Sequence, residues 1–224
     1  EELPWLAAHL TQARVLVNVI GDTVEEYADV VRGLAAADGV HGFELNVSCP
    51  NVKAGGLEFG ADPATLAGVV RGARAATRLP LFVKLSPTLP DIGASAKVCV
   101  EAGADGITVV NTIPGLVVDL PQRRPVLGFG SGGVSGPGLL PVGVLAVWRV
   151  RQAVKVPVCG VGGVSSAADA LQYLVAGASL VGIGTGAMRD PRAPERIVRD
   201  LARWCEREGV RSIGDVVGTL RWPS

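Results

Sequence analysis

Gly42-Phe43-Glu44-Leu45-Asn46-Val47-Ser48-Cys49-Pro50-Asn51 is an apolar run that gives out abruptly into small polar residues and a thiol. The stretch over 42–47 predicts a short strand, and Pro50 can continue neither a ladder nor a helix. Asn46 and Cys49 therefore stand at the C-terminal mouth of a strand, on a loop tied to rigid sheet. In parallel α/β folds that mouth is where chemistry is placed. A cysteine there is a candidate base or nucleophile, whereas one inside a helix is usually packing.

The same unit repeats on both sides of this stretch. Short β-branched runs predict strands over 15–20, 42–47, 81–85, 106–111, 156–161 and 179–183. Between and after them, apolar residues at helical spacing predict helices over 23–37, 63–77, 91–102, 141–153, 166–176 and 194–207, with a helix-like tail over 1–10. Thr23 with Glu26 reads as a capping box, Asp91 and Ser166 as caps, and Asp62 as a cap before a first-turn proline. Gly103 and Gly177 read as helix stops. The strands are apolar nearly end to end, which predicts a parallel sheet covered on both faces.

Six βα units fit either an open doubly wound sheet or a barrel. An eight-unit barrel takes about 250 residues, and this chain supplies six units in 224. The economical reading is a TIM (β/α)8 barrel with strands three to eight present and the N-terminal two βα units missing from this chain. Residues 1–224 are then one N-terminally incomplete domain. The strand over 156–161 becomes strand seven, and that over 179–183 becomes strand eight.

Composition removes several classes of function. Twenty-one basic and 21 acidic residues balance to zero net charge, which leaves no electrostatic case for nucleic acid or an anionic membrane surface. No apolar run approaches the roughly 20 residues that span a bilayer. The four cysteines, Cys49, Cys99, Cys159 and Cys205, form no CxxC pair. Neither a disulfide framework nor a metal site is expected, and a reducing cytoplasm is the default compartment.

Polar and glycine residues fall at one end of every predicted strand: Asn18, Asn46, Lys84, Asn111-Thr112, Gly160-Val161-Gly162-Gly163 and Gly182-Ile183-Gly184-Thr185. Many barrels bind phosphate with backbone N–H groups of the loops after strands seven and eight. Gly162-Gly163 and Gly184-Thr185 occupy those loops, so a phosphate-bearing ligand is expected, the plainer reading being tight βα turns. Lys84 inside an apolar strand reads as a fixed cation beside an anionic ligand atom, against a stem that snorkels to solvent. Cys99, Cys159 and Cys205 read as packing. His9 lies in the N-terminal tail and His41 at the opposite rim, so proton transfer at the mouth falls to Cys49.

Glu44-Leu45-Asn46-Val47-Ser48-Cys49-Pro50-Asn51-Val52-Lys53, Val83-Lys84-Leu85-Ser86-Pro87, Asn111-Thr112, Gly132-Gly133-Val134-Ser135-Gly136-Pro137, Gly160-Val161-Gly162-Gly163 and Gly184-Thr185 together resemble class 1 dihydroorotate dehydrogenases. The stretch Asn51-Val52-Lys53-Ala54-Gly55-Gly56 is most similar to the class 1B catalytic subunit. The resemblance implies an FMN-dependent barrel that oxidises dihydroorotate to orotate in pyrimidine biosynthesis. It also implies a partner subunit carrying FAD and a [2Fe-2S] cluster, with NAD⁺ as final acceptor, in a homodimer or a heterotetramer. By the same resemblance Cys49 is the catalytic base. Asn46 touches both substrate and FMN, and Asn51, Asn111 and Thr112 hold the substrate. Asn18, Lys84 and Val110 line the flavin ring, while Gly136, Gly162, Gly163, Gly184 and Thr185 hold ribityl and phosphate. The connection over 113–137 resembles the family's active-site surround. Two other readings stay open: a dihydropyrimidine-type flavin dehydrogenase, and a phosphate-binding isomerase or aldolase barrel without flavin, in which Lys84 forms a Schiff base and Cys49 is idle.

Overall fold

A computed structural model describes residues 2–10, 12–48 and 59–223. A lead helix, α1 (Glu2–His9), precedes an alternation of strand and helix: β1 (Leu16–Val19), α2 (Val24–Leu34), β2 (Gly42–Asn46), α3 (Pro63–Ala76), β3 (Leu81–Leu85), α4 (Ile92–Glu101) and β4 (Gly106–Val109). Four short strands follow: β5 (Ile113–Gly115), β6 (Val118–Asp119), β7 (Arg124–Pro125) and β8 (Gly132–Val134). The alternation resumes with α5 (Leu140–Ala153), β9 (Val158–Val161), α6 (Ala167–Ala176), β10 (Leu180–Gly182), α7 (Thr185–Arg189) and α8 (Ala193–Glu208).

The six expected strands form one parallel sheet in the order β1-β2-β3-β4-β9-β10. The helices decide between the two topologies left open by the sequence. Neighbours along the chain pack side by side, α2 on α3, α3 on α4, α4 on α5, α5 on α6 and α6 on α8. That places all of them on one face, whereas a doubly wound sheet divides its helices between two. The result is a TIM-barrel-like α/β wall with helices outside. β1 and β10 each have an unpaired outer edge among the described residues.

One expectation is corrected here. The strands are not covered by helices on both faces. Successive side chains on a strand point to opposite faces, and only one set is apolar throughout: Val19, Phe43, Leu45, Leu81, Val83, Leu85, Ile107, Val109 and Val158 are all buried against the helices. The other set is largely polar in the middle of the sheet. Asn46, Lys84, Thr108, Cys159 and Leu180 fall in one register row across β2, β3, β4, β9 and β10. At the two edges this inward face is open, with Leu16 43%, Ile20 51% and Leu180 48% exposed.

Local signals act largely as their chemistry requires. The Asp62 carboxylate accepts the Thr65 N–H at 2.7 Å with Pro63 in the first turn. Asp91 accepts from Ala94, and Ser166 forms a full capping box with Asp169. Gly177 closes α6 in the left-handed region at φ 119°, where L residues rarely sit. The Thr23 box is only half formed: Thr23 Oγ1 accepts from the Glu26 N–H at 3.2 Å, but the Glu26 carboxylate takes the Asp22 N–H at 2.6 Å.

The core predicts an alkaline limit to stability. Burial pushes the Cys99 thiol up to about 12. Burial, with the nearby Glu44 charge, also takes the Cys159 thiol to about 12, against a smaller opposing effect of the Thr108 hydroxyl and Lys84. An unfolded thiol titrates near 8.5. The folded state thus keeps its protons longer, so stability is fully present below about pH 8.5 and falls as pH rises toward 12. The urea midpoint is expected to hold from pH 6.5 to 8 and to drop at pH 10. The drop should be smaller in a Cys99→Ala, Cys159→Ala double variant; an equal drop in that variant would remove the thiols from the account.

Candidate active site at the C-terminal rim

The site begins with what holds the strand ends. Tyr27 on α2 is fully buried and its hydroxyl donates to the Asn46 carbonyl, the last residue of β2, at 2.8 Å. Tyr173 on α6 is likewise buried and donates to the Gly162 carbonyl, just past β9, at 2.8 Å. Its ring also explains two glycines: a Cβ at Gly143 would stand 1.9 Å from the Tyr173 hydroxyl, and one at Gly160 would stand 2.3 Å from the ring. Two phenols rooted among the helices thereby fix the backbone at the mouth of β2 and β9.

A hydrogen-bonded cluster sits at the mouth of β2 and β4. Asn111 Nδ2 donates to Ser48 Oγ at 2.7 Å, and Ser48 Oγ donates to Asn46 Oδ1 at 2.9 Å. Asn111 Oδ1 accepts the Thr112 N–H at 2.8 Å. The Asn46 side-chain NH₂ has no protein partner among the described residues, and Asn46 is the register neighbour of Lys84. Ser48, only 4% exposed, is the hub of this cluster. Sequence reasoning passed over it because its partner lies 63 residues away.

Beside the cluster lies a cavity of about 230 Å³. It brings together Lys84, Val110, Asn111, Thr112, Gly136, Gly162, Gly163, Gly184 and Thr185, nine of the residues singled out in the sequence. Ser135, Ser165 and Arg189 complete its polar lining; Ser135 stands in the Gly132-Gly133-Val134-Ser135-Gly136-Pro137 motif, but the sequence assigns none of the three a role. Thr185 Oγ1 donates to Ser135 Oγ at 2.9 Å, tying the 113–137 excursion to the loop after β10. That excursion, read from sequence as a Gly- and Pro-rich connection, folds as two small antiparallel ladders, β5 with β8 and β6 with β7.

The glycine loops have the geometry of a cradle. Gly162 and Gly163 sit at φ 127° and φ 74°, and Gly136 at φ 91°. A Cβ would meet nothing within 4 Å at Gly136 or Gly184, so ligand atoms can approach the backbone there. Behind the Gly162-Gly163 turn, the Asp169 carboxylate pays a desolvation cost that would raise its affinity for protons. It nevertheless stays below the ordinary range, because it accepts the N–H groups of Ser165 and Ser166 and the Ser165 hydroxyl.

Of the expected residues that are described, Asn18 and Asn46 are not among those lining this cavity. Asn18 is on the open edge strand β1, and its NH₂ donates to Glu44 Oε2 at 2.6 Å instead of lining the cavity. Cys49 and Asn51 lie outside the described residues. The histidines are where the sequence put them: His41 Nδ1 accepts the Val15 N–H at 3.1 Å before β1 and β2 begin, and His9 stacks on Trp5 in α1. A larger, shallow cleft of about 800 Å³ runs past Arg32, Arg74 and Arg78 at the opposite rim. Arg74 is committed there to Asp105 at 2.8 Å and to backbone carbonyls. The cleft therefore offers little for a ligand.

The Thr108 hydroxyl is buried in the inward row without an ordinary hydrogen-bond partner. The Cys159 thiol beside it is at most a weak acceptor. Protonated up to about pH 12, Cys159 is no nucleophile at neutral pH. Among the described residues no group of three or more His, Cys, Asp or Glu could hold a metal, and no helix is long and apolar enough to cross a membrane.

Fold and site define a TIM-barrel-like α/β protein with a glycine-cradled, cationic cavity at the C-terminal ends of its strands. Comparison with known proteins narrows this. The family model for dihydroorotate dehydrogenase matches residues 1–204. The catalytic subunit of dihydroorotate dehydrogenase B (NAD(+)) from Pelobacter propionicus is 46% identical over 220 residues, covering 98% of this chain and 72% of that protein. Its counterpart from Geobacter sp. strain M21 is 43% identical over the same shares. A Solibacter usitatus protein named provisionally as dihydroorotate dehydrogenase A (fumarate) is 46% identical, over 99% of this chain and 72% of its own length. The crystal structure of an Eimeria tenella dihydroorotate dehydrogenase in complex with ferulenol superposes with a TM-score of 0.78 at 24% identity, over 97% of this chain and 65% of that one. That likeness speaks for the fold. The chain belongs to the dihydroorotate dehydrogenase family.

Proposed function

We propose that this chain oxidises dihydroorotate to orotate for pyrimidine biosynthesis, as the FMN-binding catalytic subunit of an NAD-linked enzyme. One observation carries the reading beyond family membership. A single cavity collects Lys84, the Asn111-Thr112 pair and both glycine loops at the C-terminal rim. The donor set fits a phosphorylated flavin: backbone N–H groups free of side chains, the Ser135 and Thr185 hydroxyls, a lysine, and no carboxylate in the lining.

FMN, when bound, supplies the hydride acceptor. This chain's residues do the rest. Gly136, Gly162, Gly163, Gly184 and Thr185 hold ribityl and phosphate, Lys84 places positive charge beside the ring, and Val110 lines it. Asn46 presents its unpartnered NH₂ toward the reacting region, held by Ser48. Asn51, Asn111 and Thr112 orient the substrate, and Cys49 removes the C5 proton as hydride departs from C6. Asn18 belongs to the flavin side through the β1 edge. FAD and a [2Fe-2S] cluster reside on a partner subunit, in a cytoplasmic heterotetramer built on a homodimer of this chain.

The wall of six strands corresponds to strands three to eight of a closed barrel. The open edges of β1 and β10 and the exposed inward side chains Leu16, Ile20 and Leu180 support that placement, as does a chain spanning 72% of the relatives' length. Residues 1–224 then form part of one domain.

The test is anaerobic. Dihydroorotate is expected to bleach the flavin absorption of the purified protein while dihydrouracil leaves it unchanged; bleaching by dihydrouracil alone, or a colourless protein, would overturn the assignment. The Solibacter relative favours a second acceptor, fumarate. Reoxidation by fumarate, and not by NAD⁺ with the partner subunit, would select that reading.

A further inference from the structure

The cavity carries an imbalance of charge that the phosphate loops do not explain. Two cationic side chains line it, Lys84 from β3 and Arg189 from α7, and no acidic one does. Carboxylates around it are already engaged: Glu44, on the inward face of β2 and near enough to Cys159 to act on it together with Lys84, accepts the Asn18 amide. Asp169 is held by Ser165 and Ser166, and Asp190 pairs with Arg196 at 2.6 Å and accepts the Arg192 N–H. Neither cationic side chain has a hydrogen-bond or ion-pair partner among the described residues. A lining with two cationic and no acidic side chains suits an anionic ligand, and a phosphate monoester carries about −1.5 to −2 near pH 7.

The two cations sit at different ends. Lys84 stands in the row with Asn46 and Thr108, next to the Asn111-Thr112 lining. Arg189 is four residues beyond Thr185 on one short helix, so both lie on the same helical face and the arginine side chain leans back toward Thr185. We infer that Arg189 is a phosphate-anchoring residue of this chain. Its guanidinium closes the glycine cradle from the solvent side and makes the site select a phosphorylated flavin over its dephosphorylated form. The inference rests on the flavin reading above and assigns a residue that neither the sequence motifs nor the glycine loops supply. A guanidinium matches a phosphate through paired N–H donors that a point charge reproduces only in part.

The experiment titrates the full-length protein, freed of flavin, with FMN and with riboflavin, following quenching of flavin fluorescence. In Arg189→Ala the affinity for FMN should fall about tenfold, the order expected of one solvent-facing charged hydrogen bond, while that for riboflavin stays unchanged. Arg189→Lys should recover part of the loss, and raising salt should narrow the gap between wild type and Arg189→Ala. Equal weakening of both flavins, or an intact preference for FMN in Arg189→Ala, overturns the arginine assignment alone. A wild-type protein that binds neither flavin overturns it together with the flavin reading.

Discussion

Replacing Cys49 by serine is expected to slow reduction of the bound flavin by dihydroorotate by about 10²-fold or more, the share a positioned general base commonly supplies. Among the described residues, neither a histidine nor a second cysteine is available at the rim to take over the task. Both histidines lie away from it, and Cys159 keeps its proton to about pH 12. The hydroxyl of serine is a far weaker acid than a thiol, so the residual rate should gain from high pH over a wider range than the wild-type rate does. Flavin content should be unchanged, because the cofactor cradle is built from other loops. Rapid-mixing absorbance of the anaerobic protein reads the step directly. Reduction at a near-normal rate would remove Cys49 from the mechanism.

Gly163→Ala is expected to have the second largest effect, on the cofactor and not on the chemistry. Gly163 has φ 74°, and a Cβ there would stand 2.6 Å from the Leu140 nitrogen and 2.8 Å from its Cβ. The left-handed backbone alone costs an L residue about 1–3 kcal/mol. The contact with Leu140 is worse, since the first residue of α5 is backbone that no side-chain rotation can clear. The turn must move, and with it the backbone that lines the cavity. A displacement worth about 2.7 kcal/mol corresponds to a hundredfold weaker hold on FMN. The measured quantities are flavin per protein after gel filtration and the FMN dissociation constant, with circular dichroism to show that the fold persists. Wild-type flavin content in this variant would show that the turn does not bind phosphate.

Much of this architecture could be read along the chain because the signals are local. Strand runs, the Asp62-Pro63, Asp91 and Ser166 caps, and the Gly177 stop depend on residues within a turn of one another, and each acts in the structure as its chemistry dictates. Of the polar and glycine groups placed at the strand ends, Lys84, Asn111, Thr112, Gly162, Gly163, Gly184 and Thr185 line one cavity. What escaped depends on partners far apart in sequence. Ser48 looks like filler beside Cys49 until Asn111 arrives. Tyr173 looks like an ordinary helical core residue until Gly143, Gly160 and the Gly162 carbonyl close around it. Asn18 has the right residue type at the right end of its strand, but Glu44 next to it on β2 claims its amide. The polar inward row was hidden because two-residue alternation is hard to see in strands of three to five residues.

The paired phenols at Asn46 and Gly162 make the rim a dependent of the helical shell. Each strand mouth hangs from a hydroxyl whose ring is seated among the packed helices, so neither can drift while its helix stays docked, nor hold once that helix lifts. Loss of grip on a bound molecule and melting of the outer layer are therefore one cooperative event. Engineering that stiffens α2 or α6 from the solvent side would steady the reacting groups without touching any of them.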